Sequence, residues 1–235
     1  MNALPGNTHR PRLLAAMAIV LGLSACASHP TQDETQAKVA DARATLDRFV
    51  RDPGMHRLRE HIGLAKAVVI SPRLWQAGFI LGGSGGSAVA LTRNGSNWAG
   101  PAFYHIGSGT LGLQAGVQAS EVVAVALTQR GVNALLSTTF KFGGDVSVAA
   151  GPVGAGMGAP IGADIVYYTR SKGLYGGLNL DGTVISADAR SNQTYYGRPA
   201  TPADILKNQS VSNPYSQPLI QVLQNAANGA RGASQ

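Results

Sequence analysis

The side chains able to do chemistry are few in this chain, and their spacing is wrong for catalysis. Gly82-Gly83-Ser84-Gly85-Gly86 fits G-x-S-x-G, the sharp turn that presents a nucleophilic serine. A hydrolase of that kind needs an acid and then a histidine downstream. The last histidine is His105, and no Asp or Glu separates it from Ser84. Gly107-Ser108-Gly109-Thr110-Leu111-Gly112 fits G-x-G-x-x-G. A dinucleotide site needs a helix N-terminus there to hold the pyrophosphate, whereas the residues that follow alternate like a strand. His56 and His61 do not share a helical face, and with His29 and His105 they give no metal-ligand spacing. Glu121 and Asp145 interrupt apolar patterns, and ion pairs with Lys141, Arg130 or Arg170 are the expected reason. These patterns point away from an enzyme, a metal and a cofactor.

One residue does suggest chemistry, and it is covalent modification. Cys26 is the single cysteine, so no internal disulfide can form. His9, Arg10 and Arg12 precede an apolar run from Leu13 to Leu23, then Leu23-Ser24-Ala25-Cys26. A basic start, a short apolar core and small residues before a cut form a secretory signal over residues 1–25. The run is too short to span a bilayer, which takes about 20 residues. L-S-A-C looks like a bacterial lipobox, in which the cysteine thiolate is diacylated and its new amine is then acylated. Two or more chains anchor stably where one would be marginal. Ala27 rather than Asp follows the cysteine. By resemblance to enterobacterial lipoproteins, that implies the outer membrane, on its periplasmic face.

The elements that would sit behind such an anchor follow from composition and patterning. At 235 residues the chain suits one domain plus tails. Only 13% of it is charged, about half of the usual ~25%. Thirty glycines fall inside patterned segments, which argues for packed strands and tight turns. The net charge is +7. Cleavage removes Arg10 and Arg12 and no acid, leaving seventeen basic residues against twelve acidic ones, or +5. A modest basic excess suits an anionic surface, and the absence of any dense Lys/Arg run argues against nucleic acid.

Residues 26–35 read as a lipidated tether, 36–210 as a single domain, and 211–235 as a weak helix with a disordered tail. Thr31-Gln32-Asp33-Glu34 fits a capping box, and Val39, Ala42, Leu46, Phe49 and Val50 recur at helical spacing. This amphipathic N-terminal helix either packs on its own sheet or lies on a membrane. A second short helix is expected over 55–62. Ala65 to Ile70 reads as a strand ended by Ser71-Pro72, and Asn94-Gly95 is a hairpin turn. Leu111, Leu113, Ala115, Val117 and Ala119 alternate with Gly112, Gln114, Gly116 and Gln118, the pattern of a strand with one buried face. The alternation slips at Ser120-Glu121. Further hairpins are expected at Ser171-Lys172-Gly173 and Asp181-Gly182, and a helix over 131–138. Hairpins dominate. The predicted fold is α+β: a strongly bent antiparallel β-sheet or partial barrel with flanking helices.

W-Q-A-G-F-I-L-G-G-S-G-G, W-A-G-P-A-F-Y, G-L-Q-A-G-V-Q, A-A-G-P-V-G, Y-T-R-S-K-G-L-Y-G-G and N-Q-T-Y-Y-G occur here in that order, between Ala65 and Gly197. In this the chain resembles the SYLF domain family. The resemblance implies a lipid-binding domain without known catalysis. Eukaryotic relatives bind phosphoinositides, using an N-terminal amphipathic helix as well, and some fungal members bind actin.

The residues offer a physical basis for binding membrane phospholipids. Arg93, Lys141, Arg170, Lys172 and Arg198 lie near turns and could meet lipid phosphates, with the Arg170-to-Gly173 hairpin tip the sharpest candidate. Trp75, Trp98 and Tyr175 stand for the aromatics that favour a water–hydrocarbon boundary. The rival class is an envelope lipoprotein with a structural or protein-binding role, facing the host in some settings.

Overall fold

The computed structural model describes residues 29–78, 81–111, 116–151, 162–171, 174–175 and 179–232. Cys26, and with it the signal and the start of the tether, lies outside the described residues. Helix α1 (Gln32–Arg51) opens on the expected capping box. The Glu34 amide donates to the Thr31 hydroxyl at 3.2 Å, and the Thr31 amide donates to the Glu34 carboxylate at 2.7 Å. A single turn at Pro53–Met55 leads into α2 (His56–Leu64). Four long strands follow: β1 (Ala67–Gly78), β2 (Leu81–Asn94), β3 (Asn97–Leu111) and β4 (Gly116–Ala126). Asn94 pairs with Asn97 across a two-residue turn in which Gly95 takes φ 62°, as the Asn-Gly pair predicts. Next come α3 (Gln129–Leu136), β5 (Thr139–Lys141), β6 (Val148–Ala150), β7 (Ile165–Ser171), β8 (Leu174–Tyr175) and β9 (Val184–Ala187). Helices α4 (Ala189–Tyr196), α5 (Pro202–Leu206) and α6 (Gln217–Gly232) close the chain.

The strands form one curled sheet in the order β5-β9-β3-β2-β1-β4-β7-β6, with β8 paired to β7. Every pairing is antiparallel except β6 with β7. The α+β class and the bent, flanked sheet are as predicted. Alternate residues of each central strand enter two different cores. Val68, Val89, Phe103, Val123 and Val166 point to one side and meet α1, α2 and α6. Val69, Ala90, Ala102, Ala124 and Ile165 point to the other and meet α3, α5 and the Phe140–Phe142 pair. Leu46 and Phe49 of α1 are fully buried, and such side chains contribute about 1.5–3 kcal/mol each. The N-terminal helix therefore packs on its own sheet.

Several local features depart from expectation. Strand β1 does not end at Ser71-Pro72; it passes through a bulge there and runs on to Gly78. The Ser71 hydroxyl donates to the Ser87 carbonyl at 2.9 Å, and the bulge lies opposite Ser120-Glu121, where the sequence pattern slips. Gly86 faces this bulge. A Cβ there would sit 2.6 Å from the Arg73 carbonyl oxygen, so only glycine fits without moving a backbone. Asp181-Gly182 makes a turn, but β9 pairs with β3 and β5, not with β8. Helix α4 has no counterpart in the sequence reading. It is pinned by the buried Asn192, whose side chain accepts from the Phe103 amide at 2.9 Å as a neighbouring strand would. Helix α6 buries Leu219 and Leu223 and belongs to the core rather than to a loose tail. The run read as one strand over 111–119 is divided: Leu111 ends β3, 112–115 lie outside the described residues, and β4 begins at Gly116, with Val117 facing outward at 68% exposure.

Every described element lies between Thr31 and Gly232, so residues 27–235 keep the whole described fold. Within it His61 is buried, its Nδ1 2.8 Å from the Tyr168 hydroxyl. Burial lowers its pKa below the ordinary 6.5; nearby Glu60 opposes this and Arg57 reinforces it. Below about pH 6.5 the unfolded chain takes up a proton that the folded one resists, so stability falls with acidification through that window. Denaturant midpoints should therefore drop between pH 7.5 and 5.5, and His61→Gln should flatten the drop. An equally steep profile in the variant would contradict this. Separately, Gly86→Ala should cost about 1–3 kcal/mol by overpacking, whereas Gly109→Ala, with nothing within 4 Å of its Cβ, should stay within about 0.5 kcal/mol. Equal losses in urea titration would rule out the bulge explanation.

Candidate functional site

The bulge in β1 and the polar side of α1 bound a groove. Lys38, Asp41, Thr45 and Arg48 follow one another along α1 at helical spacing and overlook Pro72-Arg73. One part of the groove, about 520 Å³, is lined by Arg48, Arg73, Glu121 and Arg170 among others. A second part, about 210 Å³, adjoins it through Asp41, Pro72 and Arg73 and reaches Lys38.

Its charges are unevenly satisfied. Arg48 pairs with Glu121 and donates to the Thr45 hydroxyl at 3.0 Å. Glu121 thus finds its partner on α1, not on Lys141, Arg130 or Arg170, even though Arg170 lies directly across the ladder from it. The Asp145 carboxylate instead accepts from the Lys141 amide at 2.8 Å. Half of the Arg48 side chain is exposed, and a pair of that kind is worth about 1 kcal/mol or less, so Arg48 can turn to another anion. Among the described residues, no hydrogen bond or ion pair engages the Arg73 or Arg170 side chain. At the far end Lys38 Nζ lies 3.4 Å from the Asp188 carboxylate and 2.8 Å from the Ser191 hydroxyl. His105 Nε2 is 3.5 Å from the same carboxylate. Burial would raise the Asp188 pKa, but the Ser191 hydroxyl and amide, then His105 and Lys38, hold it below the ordinary range. Lys38 is therefore partly committed, while Arg73 and Arg170 are the cations left to recruit a ligand.

The groove takes in one of the residues that sequence singled out, has a second beside it, and separates the others. Arg170 lines it, and Trp75 stands exposed just beyond it on the same sheet face, paired with Ala119 of the groove wall. Lys172 lies outside the described residues, and only the backbone position of Tyr175, opposite Arg170, is described. Arg93 is engaged elsewhere: its guanidinium donates to the Gly63 and Ile62 carbonyls at 2.8 and 3.2 Å, capping α2, and lies 4.7 Å above the Trp98 ring. Trp98 is itself buried in the helix-covered core. Lys141 sits on β5, with five strands between it and β7. Arg198 lies between α4 and α5, where its charge reaches Asp204. Sequence reading missed Arg48 and Arg73. Both looked like ordinary solvated residues, and only the bulge and the docking of α1 bring them together.

The interior of the curled sheet is filled. The space between Val69, Leu74, Val122 and Ile185 amounts to about 10 Å³, too little for an acyl chain. Among the described residues no helix is long and apolar enough to cross a membrane, and no group of three His, Cys, Asp or Glu side chains could hold a metal ion.

Comparison with known proteins places this geometry among relatives. The Ysc84 family model, described as Las17-binding protein actin regulator, matches residues 107–226. "LAS seventeen-binding protein 3" of Saccharomyces cerevisiae is 30% identical over 172 residues, covering 67% of this chain and 38% of the yeast protein. "Protein YSC84" of the same yeast is 29% identical over 178 residues, covering 72% and 37%. "SH3 domain-containing YSC84-like protein 1" of Bos taurus is 27% identical over 174 residues, covering 72% and 50%. The chain thus spans from under two fifths to half of the length of these relatives.

Proposed function

The chain belongs to the Ysc84 (SYLF) family, and from that premise we propose that it is a membrane-surface module whose groove binds the anionic headgroups of phospholipids. The observation that carries this reading is the pair Arg73 and Arg170, which line one groove with no partner engaged among the described residues. Guanidinium groups suit phosphate because their planar donors match its oxygens two at a time. The filled sheet interior favours recognition of a headgroup at the surface over enclosure of a whole lipid. The net charge of +5 left after removal of residues 1–25 adds attraction to an anionic membrane. The cavities that form the groove are lined by Arg48, Arg73, Arg170 and Lys38 with two acids, Asp41 and Glu121, a set suited to binding an anion.

The remainder of the proposal concerns location. Cys26 carries acyl chains after removal of residues 1–25, tethering the domain to the outer membrane on its periplasmic face. Mass spectrometry of the mature protein tests this, and an unmodified Cys26 would refute it. A second reading draws on the yeast relative whose name records binding to another protein, "LAS seventeen-binding protein 3": the groove would then hold an acidic segment of a partner.

The two readings separate in one experiment. Residues 27–235 should sediment with vesicles containing phosphatidylglycerol and not with neutral vesicles, and the bound fraction should fall with salt. Arg73→Glu with Arg170→Glu should weaken binding at least about tenfold, since each basic residue near such a surface contributes about 1 kcal/mol. Lys141→Glu with Arg198→Glu, away from the groove, should change it far less. No binding to anionic vesicles, or equal losses in both double variants, would sink the headgroup reading.

A further inference from the structure

Beyond the groove, β1 to β4 continue past the layer of helices, and the ladder register states what their outer face presents. Paired residues of an antiparallel sheet point the same way. Gly107, Gly85, Trp75 and Ala119 are mutually paired and form one row across β3, β2, β1 and β4. Gly109, Gly83, Ala77 and Val117 form the next row out. Neither row contains a polar side chain. Trp75 is 51% exposed and Val117 68%. A Cβ at Gly109 would meet nothing within 4 Å, and one at Gly85 or Gly107 only a backbone oxygen of the neighbouring strand at 4.0 Å. No described element covers this platform.

The opposite face of the same strands is polar. Ser84 and Ser108 share a hydrogen bond at 2.7 Å, and Gln118 donates to the Ser171 hydroxyl at 2.8 Å. The extension is thus a thin amphipathic sheet. Just inside the platform, on the same outer face, lies a row of His105, Ser87 and Arg73, with Glu121 and Arg170 on the strands beyond the bulge. Along the strands, the two apolar rows lie about 7 and 13 Å beyond this charged row.

We propose that this glycine-floored platform inserts into the membrane, with Trp75 and Val117 entering the acyl boundary while Arg73 and Arg170 stay at the phosphates. The inference rests on the headgroup reading above and extends it from surface attraction to insertion. Three features favour a lipid surface as the occupant. The nearer apolar row, about 7 Å from the charged one, falls within the roughly 5–10 Å to which interfacial elements sink. A half-exposed tryptophan at the junction suits the headgroup level. Two copies meeting face to face would bring their arginine rows together, whereas an anionic bilayer is complementary to them. The bare glycine floor lets lipid chains lie against a sheet in which the bonds between β1, β2, β3 and β4 are already made.

Trp75 reports the event directly. Residues 27–235 are mixed with phosphatidylglycerol vesicles whose chains are brominated, and tryptophan emission is compared with that of Trp75→Phe, in which only the buried Trp98 remains. The inference predicts a blue shift and quenching of the Trp75 contribution. It also predicts that Val117→Asp, at an exposed site where folding is checked by circular dichroism, loses the quenching and at least fivefold of the binding while keeping its salt sensitivity. Salt-sensitive vesicle binding with Trp75 emission unchanged would overturn insertion and leave the headgroup reading standing. No vesicle binding at all would overturn both. Concentration-dependent dimers in sedimentation that shield Trp75 without vesicles would assign the platform to a second copy and overturn the proposal.

Discussion

The strands at the centre of this sheet are longer than the layers that cover them. Strands β1 to β4 run for 11 to 15 residues, and helices α1, α2 and α6 bury only the half that carries Val68, Val89, Phe103 and Val123. A sheet half-covered in this way must change character where the cover ends. Inside that line the side chains are mainly apolar and packed, and buried polar groups such as His61 and Asn192 are hydrogen-bonded. At the line sits a row of charge, and beyond it glycine, alanine and serine predominate, with Trp75 and Val117 standing out from them. The bulge at Ser71-Pro72 marks the transition, because it bends β1 and places Arg73 under the open side of α1.

The helical layer is positioned by polar contacts as much as by apolar ones. Asp188 caps α4 and collects Ser191, Lys38 and His105 around one buried carboxylate, joining α1 to the sheet edge at β9. The Asn192 side chain accepts from the Phe103 amide of β3, whose carbonyl accepts from the Asp188 amide. Arg93 holds the C-terminus of α2 while stacked on Trp98. Because α1 is fixed from both ends, Lys38, Asp41 and Arg48 stand at set positions over β1. The groove is a consequence of the fold rather than an addition to it.

Local rules made much of this architecture legible. The capping box at Thr31, the turn at Asn94-Gly95 and the period-2 runs follow from short-range chemistry, and so does the bent α+β sheet. The departures share a different cause. The bulge depends on Gly86 of the neighbouring strand, β9 chooses β3 and β5 across 40 to 80 residues of chain, and β6 lies parallel to β7. None of these leaves a mark within its own segment. Arg93 and Trp98 look like a cation and an aromatic available for a ligand until the cap on α2 is seen. Arg73 looks like part of a loop until the strand is seen to continue through Pro72. Val117 reads as the buried side of one alternating strand from Leu111 to Ala119, but Leu111 belongs to β3 and Val117 faces outward on β4, because a periodic pattern cannot say which side faces the core when the cover stops short.

The central claim is that one face of the molecule, the arginine row with its apolar platform, meets the membrane. Amide hydrogen exchange of residues 27–235, free and bound to phosphatidylglycerol vesicles, tests it most directly. The account predicts added protection confined to the outer halves of β1 to β4 and to the α1 side of the groove. Protection on α2 and α6, on the β5–β9 edge, or nowhere in the presence of saturating vesicles would contradict it.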